Sequence, residues 1–474
     1  TGAGRARVDP LRRRASARQL CPRPRLMLAA LKKAILDVRT QWLKESESDR
    51  KPQLATVVRL GTDCSGLDAP IFAARELGWT FKQLFASEIS PTASLWIQAQ
   101  GQSEFLYNDM LDPPRDLSEL LAGNSLDGYI AGFPCQPFSR QSTCRKGFKD
   151  TRSQVFVGVL DSIRQAKPSW AVLENVRGLL SFRKEVLEHM QHHKLLDLYV
   201  SIWLPLCPSE LGQPHRRPRL YMILIRKDVC VCRNRSEVTS LVARLGKGVK
   251  ASLPVSDFLD FLDTDSDGPA LEDPPRKNCL AAKWREQHAA IRKRIHVSQP
   301  LRPPEGLLSE REHSTAELHL AMTKQELPLV MDVSQSLGRV PSSTSSLPCL
   351  TTSSKPLLVR TTSDVRFLTM RELLRFQGFP LQHVVMPAAL SDRALGFHVG
   401  NSMHVPCVGL AMLIAWSMTS TSQSVASWLP GPESPLYFQW TDQGLTEEAL
   451  HQQGKKCKGA SSRSAAAKTK RKRA

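Results

Sequence analysis

The chain lacks several features that would have fixed its class at once. Its eleven cysteines form no Cys-x-x-Cys pair, and Cys230 and Cys232 stand too close together for a usual zinc pair. Nothing in their spacing suggests a disulfide framework, which fits a reducing compartment. No window holds roughly 18 uninterrupted apolar residues, so no membrane span is expected. No P-loop and no full Gly-x-Gly-x-x-Gly occurs, which argues against a site that cradles a pyrophosphate. Aromatics are scarce at 6%, with only five tyrosines, and there are no internal repeats. His189, His192 and His193 cluster without acidic partners, so no metal site is expected there. Asp263-x-Asp265-x-Asp267-Gly268 opens like a calcium loop, but its twelfth position is Pro274 where a Glu is required, so it reads as an acidic linker.

What is present is a chain of 474 residues with 41% hydrophobic content, enough for one large α/β domain and a smaller one. The net charge of +20 is concentrated at the ends. Residues 1–25 carry eight arginines against Asp9, and residues 454–474 carry nine Lys or Arg and no acid. Lys468-Thr469-Lys470-Arg471-Lys472-Arg473 reads as a nuclear-import signal or a nucleic-acid-binding tail, giving an expected nuclear location. The Arg-rich start also passes for an organelle transit peptide, which ranks below the nuclear reading. Met27, followed by a helical pattern, reads as a natural start.

Between the tails, strands and helices alternate. Residues 55–60 read as a buried strand, followed by a Gly/Asp/Ser turn from Gly61 to Asp68 and a helix to Leu77. Further strands are expected at 83–87, before Cys135, at 171–173, at 198–204 and at 219–225, with helices from Pro91 and over 154–166. That alternation predicts an open, mainly parallel, doubly covered sheet. From 227 to 360 the pattern breaks into Ser-, Pro-, Asp- and Lys-rich sequence with one helix near 279–294, an irregular insert. Helices return over 369–376 and 405–418. The expected organisation is a basic extension (1–50), a first catalytic part (51–226), the insert (227–360), a completing part (361–425) and a basic tail (426–474).

Open α/β sheets bind ligands at the carboxyl ends of their strands. There the sequence puts the Gly61–Asp68 turn with Gly66 and Leu67, then Glu88 after the second strand and Asp109 after the third. An acid after the second strand suits a ribose diol, and one after the third suits an adenine edge. An adenosine ligand without a pyrophosphate fits, and S-adenosylmethionine is one. Cys135 sits between two prolines in Gly132-Phe133-Pro134-Cys135-Gln136-Pro137-Phe138-Ser139, a thiol on a stiff turn after a strand. Glu174 follows the next strand, and Arg217 and Arg219 precede another. A nucleophile, a carboxylic acid and fixed guanidinium donors form one consistent set.

With these residues in order, the chain resembles the cytosine-C5 DNA methyltransferase family over about residues 55–418. Pro134-Cys135-Gln136 matches the family's nucleophile motif, Glu174-Asn175-Val176 its Glu-Asn-Val motif, and Arg217 with Arg219 its Arg-x-Arg pair. Arg371-Glu372 with Gln377-Gly378-Phe379-Pro380 matches a late structural motif, and Gly400-Asn401-Ser402 a C-terminal cofactor motif.

The resemblance implies a Rossmann-like methyltransferase domain with a small target-recognition domain in the insert. It also implies S-adenosylmethionine as methyl donor, held by Gly66, Leu67, Glu88, Asp109 and Asn401. The implied catalytic set is Cys135, Glu174, Arg217 and Arg219, with Pro134, Gln136, Ser139 and Asn175 supporting the target base or its loop. Cys135 would attack C6 of a cytosine flipped out of double-stranded DNA, Glu174 would hold N3 and the exocyclic amine, and Arg219 would favour the Cys135 thiolate. The first motif departs from the family, with Cys64 in place of its phenylalanine and Asp68-Ala69 in place of its paired glycines, and in the Arg-x-Arg motif His215 stands for a usual glutamine.

A tRNA-methylating branch carries a Cys-Phe-Thr segment and two recognition-region tyrosines, and none of the five tyrosines here lies in 227–360. A silent chromatin-bound relative would have lost the thiol or the acid, and both are present. Protein partners are left open.

Overall fold

The computed structural model describes residues 57–419, apart from 112–115, 122–124, 141–144, 232–252, 260–280, 296, 298–299 and 325. Both basic tails, Met27, Cys232 and the Asp263–Pro274 stretch lie outside the described residues.

Seven strands form the main sheet: β1 (Val58–Asp63), β2 (Phe81–Ser87), β3 (Ser103–Tyr107), β4 (Gly128–Ala131), β5 (Trp170–Val176), β6 (Tyr199–Leu206) and β7 (Arg219–Arg226). Their order is β3-β2-β1-β4-β5-β7-β6. The first five run parallel, and β7 alone is reversed, pairing antiparallel with both β5 and β6. The strands at the centre are apolar on both faces because helices cover both sides. Ala171, Val172 and Leu173 of β5 are wholly buried, as are Leu220, Tyr221, Ile223 and Leu224 of β7.

The helices are α1 (Ala69–Glu76), α2 (Pro91–Gln100), α3 (Gln154–Ala166), α4 (Arg183–His192), α5 (Ala281–Arg292), α6 (Glu310–Thr323), α7 (Met370–Phe376), α8 (Asp392–Asn401) and α9 (Val405–Ser417), with single helical turns at Leu117–Leu120 and Leu195–Leu198. Pro91 sits at the first position of α2, where its missing N–H and fixed φ suit a helix start. One face of the sheet packs on α1 and α9, the other on α3 and α4. Nearly every residue of α9 is buried, so its all-round apolarity reflects a core helix. The stretch Asp392–Ser417 is long and apolar enough for a membrane span by composition, yet 89% of its most apolar window is buried inside the protein.

The insert holds more order than its composition suggests. Strands β8 (Leu329–Asp332), β9 (Ser342–Ser343), β10 (Pro356–Val359) and β11 (Val365–Phe367) form an antiparallel sheet in the order β11-β10-β8-β9. This sheet shares a small core with α6, in which Ala316 packs with Leu329, Met331, Leu357 and Val359. α6 starts on a capping box between Ser309 and Glu312. β11 lies past residue 360, so the small sheet extends beyond the expected end of the insert.

Candidate active site

Cys135 follows β4, Glu174 lies near the end of β5, and Arg219 opens β7. Because β7 is reversed, its first residue meets the last turns of its parallel neighbours. Val176 and Arg219 are register partners, and the Arg219 Nε stands 3.1 Å from Glu174 Oε1. Both side chains are nearly buried, at 12% and 10% exposure, which removes most of the screening that weakens surface pairs.

The Cys135 turn is fastened from several sides. Phe138 and Ser139 donate their N–H groups to Cys135 O at 3.0 and 2.9 Å. Asn175 Nδ2 donates to Phe133 O at 3.0 Å, while its Oδ1 accepts from Val176 N at 2.8 Å. Arg145 Nε donates to Phe138 O at 2.9 Å and its NH2 donates to Gly178 O. Gly132 is needed just before the turn: a Cβ there would lie 2.7 Å from Met403 Cε and 3.6 Å from Glu174 Oε2. Asn175 and Ser139 thus fasten the loop, and Arg145 joins them. Pro134 is half-buried, and Gln136 faces solvent.

Burial raises the Cys135 thiol above its ordinary value, with Arg219 opposing, Glu174 adding to the rise and Arg217 opposing. Arg219 thus acts in the direction expected of it, favouring the thiolate, but burial outweighs the guanidinium and the net shift is upward. Burial likewise raises Glu174 against the pull of Arg219 and Arg217. A carboxyl held that way is suited to carry or share a proton.

Arg217 does not face the same space. Its NH1 donates to Leu350 O at 2.9 Å, and its NH2 donates to Gly400 O at 2.9 Å and Ser402 O at 2.6 Å. The guanidinium is buried and clamps three carbonyls from distant parts of the chain. Its direct catalytic assignment is replaced by a positioning one. Beside it, His215 and His404 rings lie 5.8 Å apart, and both are buried. His215 Nδ1 donates to Phe376 O at 3.1 Å. Burial, His404 and Arg217 hold His215 well below its usual value, and burial with Arg217 pushes His404 down to about 3.

The second cluster lies at the ends of β1, β2 and β3. Glu88 Oε2 accepts the Gly66 N–H at 2.7 Å, and Oε1 accepts the Ser90 N–H at 2.9 Å. Burial raises the Glu88 carboxyl against these two bonds. Asp109 is half-buried after β3, and its Oδ1 accepts from Leu111 N at 2.8 Å. Gly66 has φ +56°, and a Cβ built there meets nothing within 4 Å, so the turn faces open space. Ile89, directly after Glu88, is 72% exposed beside that space; the sequence did not single it out.

Leu67 is corrected: its side chain is in the core and its carbonyl accepts from Trp96 Nε1 at 3.0 Å, so it supports the turn from behind. Asn401 is exposed at the end of α8, whose His398 Nε2 lies 2.7 Å from Thr92 Oγ1, just beyond Glu88.

The departures in the first motif have a structural account. Cys64 and Asp68 both adopt left-handed backbone, at φ +50° and +53°, where aspartate is tolerated better than most residues. Asp68 is buried, accepts from Gln83 Nε2 at 2.7 Å, and burial pushes it up to about 7.

The family described as C-5 cytosine-specific DNA methylase matches residues 62–412, which takes in all of these groups. The chain belongs to that family. Among its curated relatives, the type II methyltransferase M.BanI of Aneurinibacillus aneurinilyticus is 34% identical over 140 residues, covering 29% of this chain and 32% of the relative. M.SsoII of Shigella sonnei is 25% identical over 297 residues, covering 62% of this chain and 64% of the relative. The chain thus spans about a third of the length of the first of these relatives. Among solved structures, the S. pombe Dnmt2 methyltransferase superposes with a TM-score of 0.49 at 16% identity, over 76% of this chain and 98% of that one.

Proposed function

We propose that the protein is a DNA (cytosine-5)-methyltransferase acting through Cys135. The observation that carries the reading is the buried Glu174–Arg219 pair at 3.1 Å, set beside the strand-end thiol of Cys135. Cytosine C5 is a poor nucleophile until C6 is attacked. The Cys135 thiol gives up its proton to water and Sγ bonds C6, moving the C5–C6 pair onto C5, while Glu174 holds the proton at N3 and receives the exocyclic amine. Its raised carboxyl fits that task. Arg219 fixes Glu174 and the plane of the base. Loss of the C5 proton then lets the Cys135–C6 bond break. Such attack needs the cytosine out of the stack.

The residues at the other cluster fit S-adenosylmethionine. When bound, it supplies an electrophilic methyl group. Glu88 would hold a ribose diol, Asp109 an adenine edge, and exposed Ile89 an apolar face, with Gly66 leaving room for close approach. Exposed Arg140, Lys146 and Lys149 flank the Cys135 loop and suit phosphate backbone. The nuclear location remains part of this reading and rests on residues 468–473, which lie outside the described residues, whereas the relatives named above are bacterial.

The test is methyl transfer from labelled S-adenosylmethionine to duplex DNA and, separately, to tRNA, with Cys135→Ala alongside. Transfer to duplex DNA that Cys135→Ala abolishes is the expected result. Activity untouched by the substitution defeats the mechanism, and transfer to tRNA alone defeats the substrate. A covalent adduct on 5-fluorocytosine DNA is the complementary expectation, because fluorine at C5 blocks the final elimination.

A further inference from the structure

Two consecutive residues near the start of the late motifs hold the two arginines of the Arg-x-Arg sequence. Leu350 O accepts from Arg217 NH1 at 2.9 Å, and Cys349 Sγ lies 3.8 Å from Arg219 NH1. The placement comes from main-chain pairing. Leu347 bridges to His215, Arg216 N donates to Leu347 O at 2.9 Å, and Leu347 N donates to Pro214 O at 2.7 Å. Residues 347–350 are thereby laid alongside 214–217, and the Cys349 sulfur falls on the NH1 end of Arg219 while Glu174 occupies the Nε edge.

The charges agree with that geometry. Burial acts to raise the Cys349 thiol, but Arg219 and then Arg217 outweigh it, and the thiol lies below its ordinary value. Burial acts to lower Arg219, but Cys349, Glu174 and Cys135 together hold it above its ordinary value. The groups facing Cys349 are Arg219 and Arg217 from the β7 side, with Glu174 on β5 and Cys135 after β4 joined to it through Arg219.

We propose that Cys349 is a positioning residue for methyl transfer: with Glu174 at Nε and Pro218 O at NH1, its sulfur adds a further hold on Arg219 and fixes the plane of the guanidinium against the target base. The assignment rests on the reading of Arg219 given above. Arg219 NH1 also donates to Pro218 O at 3.0 Å, on its own main chain, so the Cys349 sulfur at 3.8 Å is the contact that ties this end of the fork to a separate segment. The Cys349 thiol, which also donates to Leu350 O at 3.7 Å, shares with Cys135 the positive charge of Arg219 that opposes the rise of the Cys135 thiol.

The test uses the full chain. In a Cys135→Ala background, the rate of iodoacetamide alkylation at Cys349 is followed against pH by peptide mass spectrometry. Cys349 is expected to titrate below an ordinary cysteine thiol, and to move to higher pH in the further variant Arg219→Gln. This readout is independent of methyl transfer. In the otherwise intact chain, Cys349→Ala is expected to lower kcat roughly tenfold, with KM for S-adenosylmethionine unchanged and Cys349→Ser restoring part of the loss. Cys135 alkylation should shift to lower pH in Cys349→Ala. Thermal melts confirm that the variants fold. A Cys349 titration that ignores Arg219→Gln, or a folded Cys349→Ala with native kcat and native Cys135 titration, overturns the assignment. Methyl transfer by Cys135→Ala would instead overturn the nucleophile reading and leave the Cys349 titration to decide its own contact.

Discussion

Arg219 and Glu174 meet across an antiparallel strand pair, Nε to Oε1 at 3.1 Å, with Arg219 registered opposite Val176. Both side chains are nearly buried, so each charge depends on the other for its neutralisation. Removing one partner of a buried pair leaves a desolvated charge behind, at a cost of about 3–5 kcal/mol.

Glu174→Gln keeps the volume and removes the proton-carrying group. Methyl transfer should fall by roughly a hundredfold or more, measured as kcat under saturating S-adenosylmethionine. Arg219→Lys should also be severely impaired, since a point charge cannot hold a carboxylate edge and a second acceptor together. Near-native turnover by either variant would remove these two groups from the chemistry.

Arg217→Ala should act on stability before chemistry. It strips donors from the carbonyls of Leu350, Gly400 and Ser402. Charge-assisted bonds contribute about 1.5–3 kcal/mol each, so denaturant midpoints should drop clearly. A variant with native stability but no activity would instead argue for direct contact with substrate.

Gly400→Ala tests the same junction from the other side. A Cβ at Gly400 would run into the main chain of Thr351 and Thr352. Overpacking of this kind costs about 1–3 kcal/mol. The expected outcome is a lower melting temperature and a faster loss of activity on warming. An unchanged melt would show that the two segments separate freely.

Acid should destabilise the protein well before its surface carboxylates titrate. His404 sits near 3 in the folded state against about 6.5 when unfolded, and His215 is displaced in the same direction. Between those values the unfolded chain binds more protons, so their contribution is intact above about pH 6.5 and lost as pH falls. Each such group gives a slope of about 1.4 kcal/mol per pH unit in that window.

Asp68 works in the opposite sense. Its folded value of about 7 lies above the ordinary 3.8, so the folded state binds more protons between them and stability declines as pH rises through 7. Asp68→Asn, which can keep the bond from Gln83 and tolerates the left-handed backbone, should flatten that decline. Chemical denaturation at pH 6 and pH 8.5 compares the two.

Much of this molecule could be read from its sequence because the signals were local. The β-α alternation through residue 226 and the polar groups at strand ends follow from short runs of pattern and turn. The small sheet was missed because β8 and β10 have four residues each and β9 two, too few to show a period, and they are separated by Ser- and Thr-rich turns that dominate the composition. α6 was missed although Ser309 and Glu312 spell a capping box, since its buried face mixes Glu312, Thr315 and His319 with Leu318. The role of Arg217 was hidden for another reason: its partners are main-chain carbonyls 133, 183 and 185 residues away, which no side-chain pattern records. Cys349 was hidden similarly, reaching Arg219 only through the pairing of Leu347 with His215.

The reversal of β7 has a geometric corollary. The strand begins at the reacting groups and ends seven residues later at Arg226, about 23 Å away at the usual rise per residue. The chain thus leaves β7 at the end far from the reacting groups, and Leu347 lies beside His215 at the near end. Chain added or exchanged beyond Arg226 would therefore leave the guanidinium at the other end of the strand where it is.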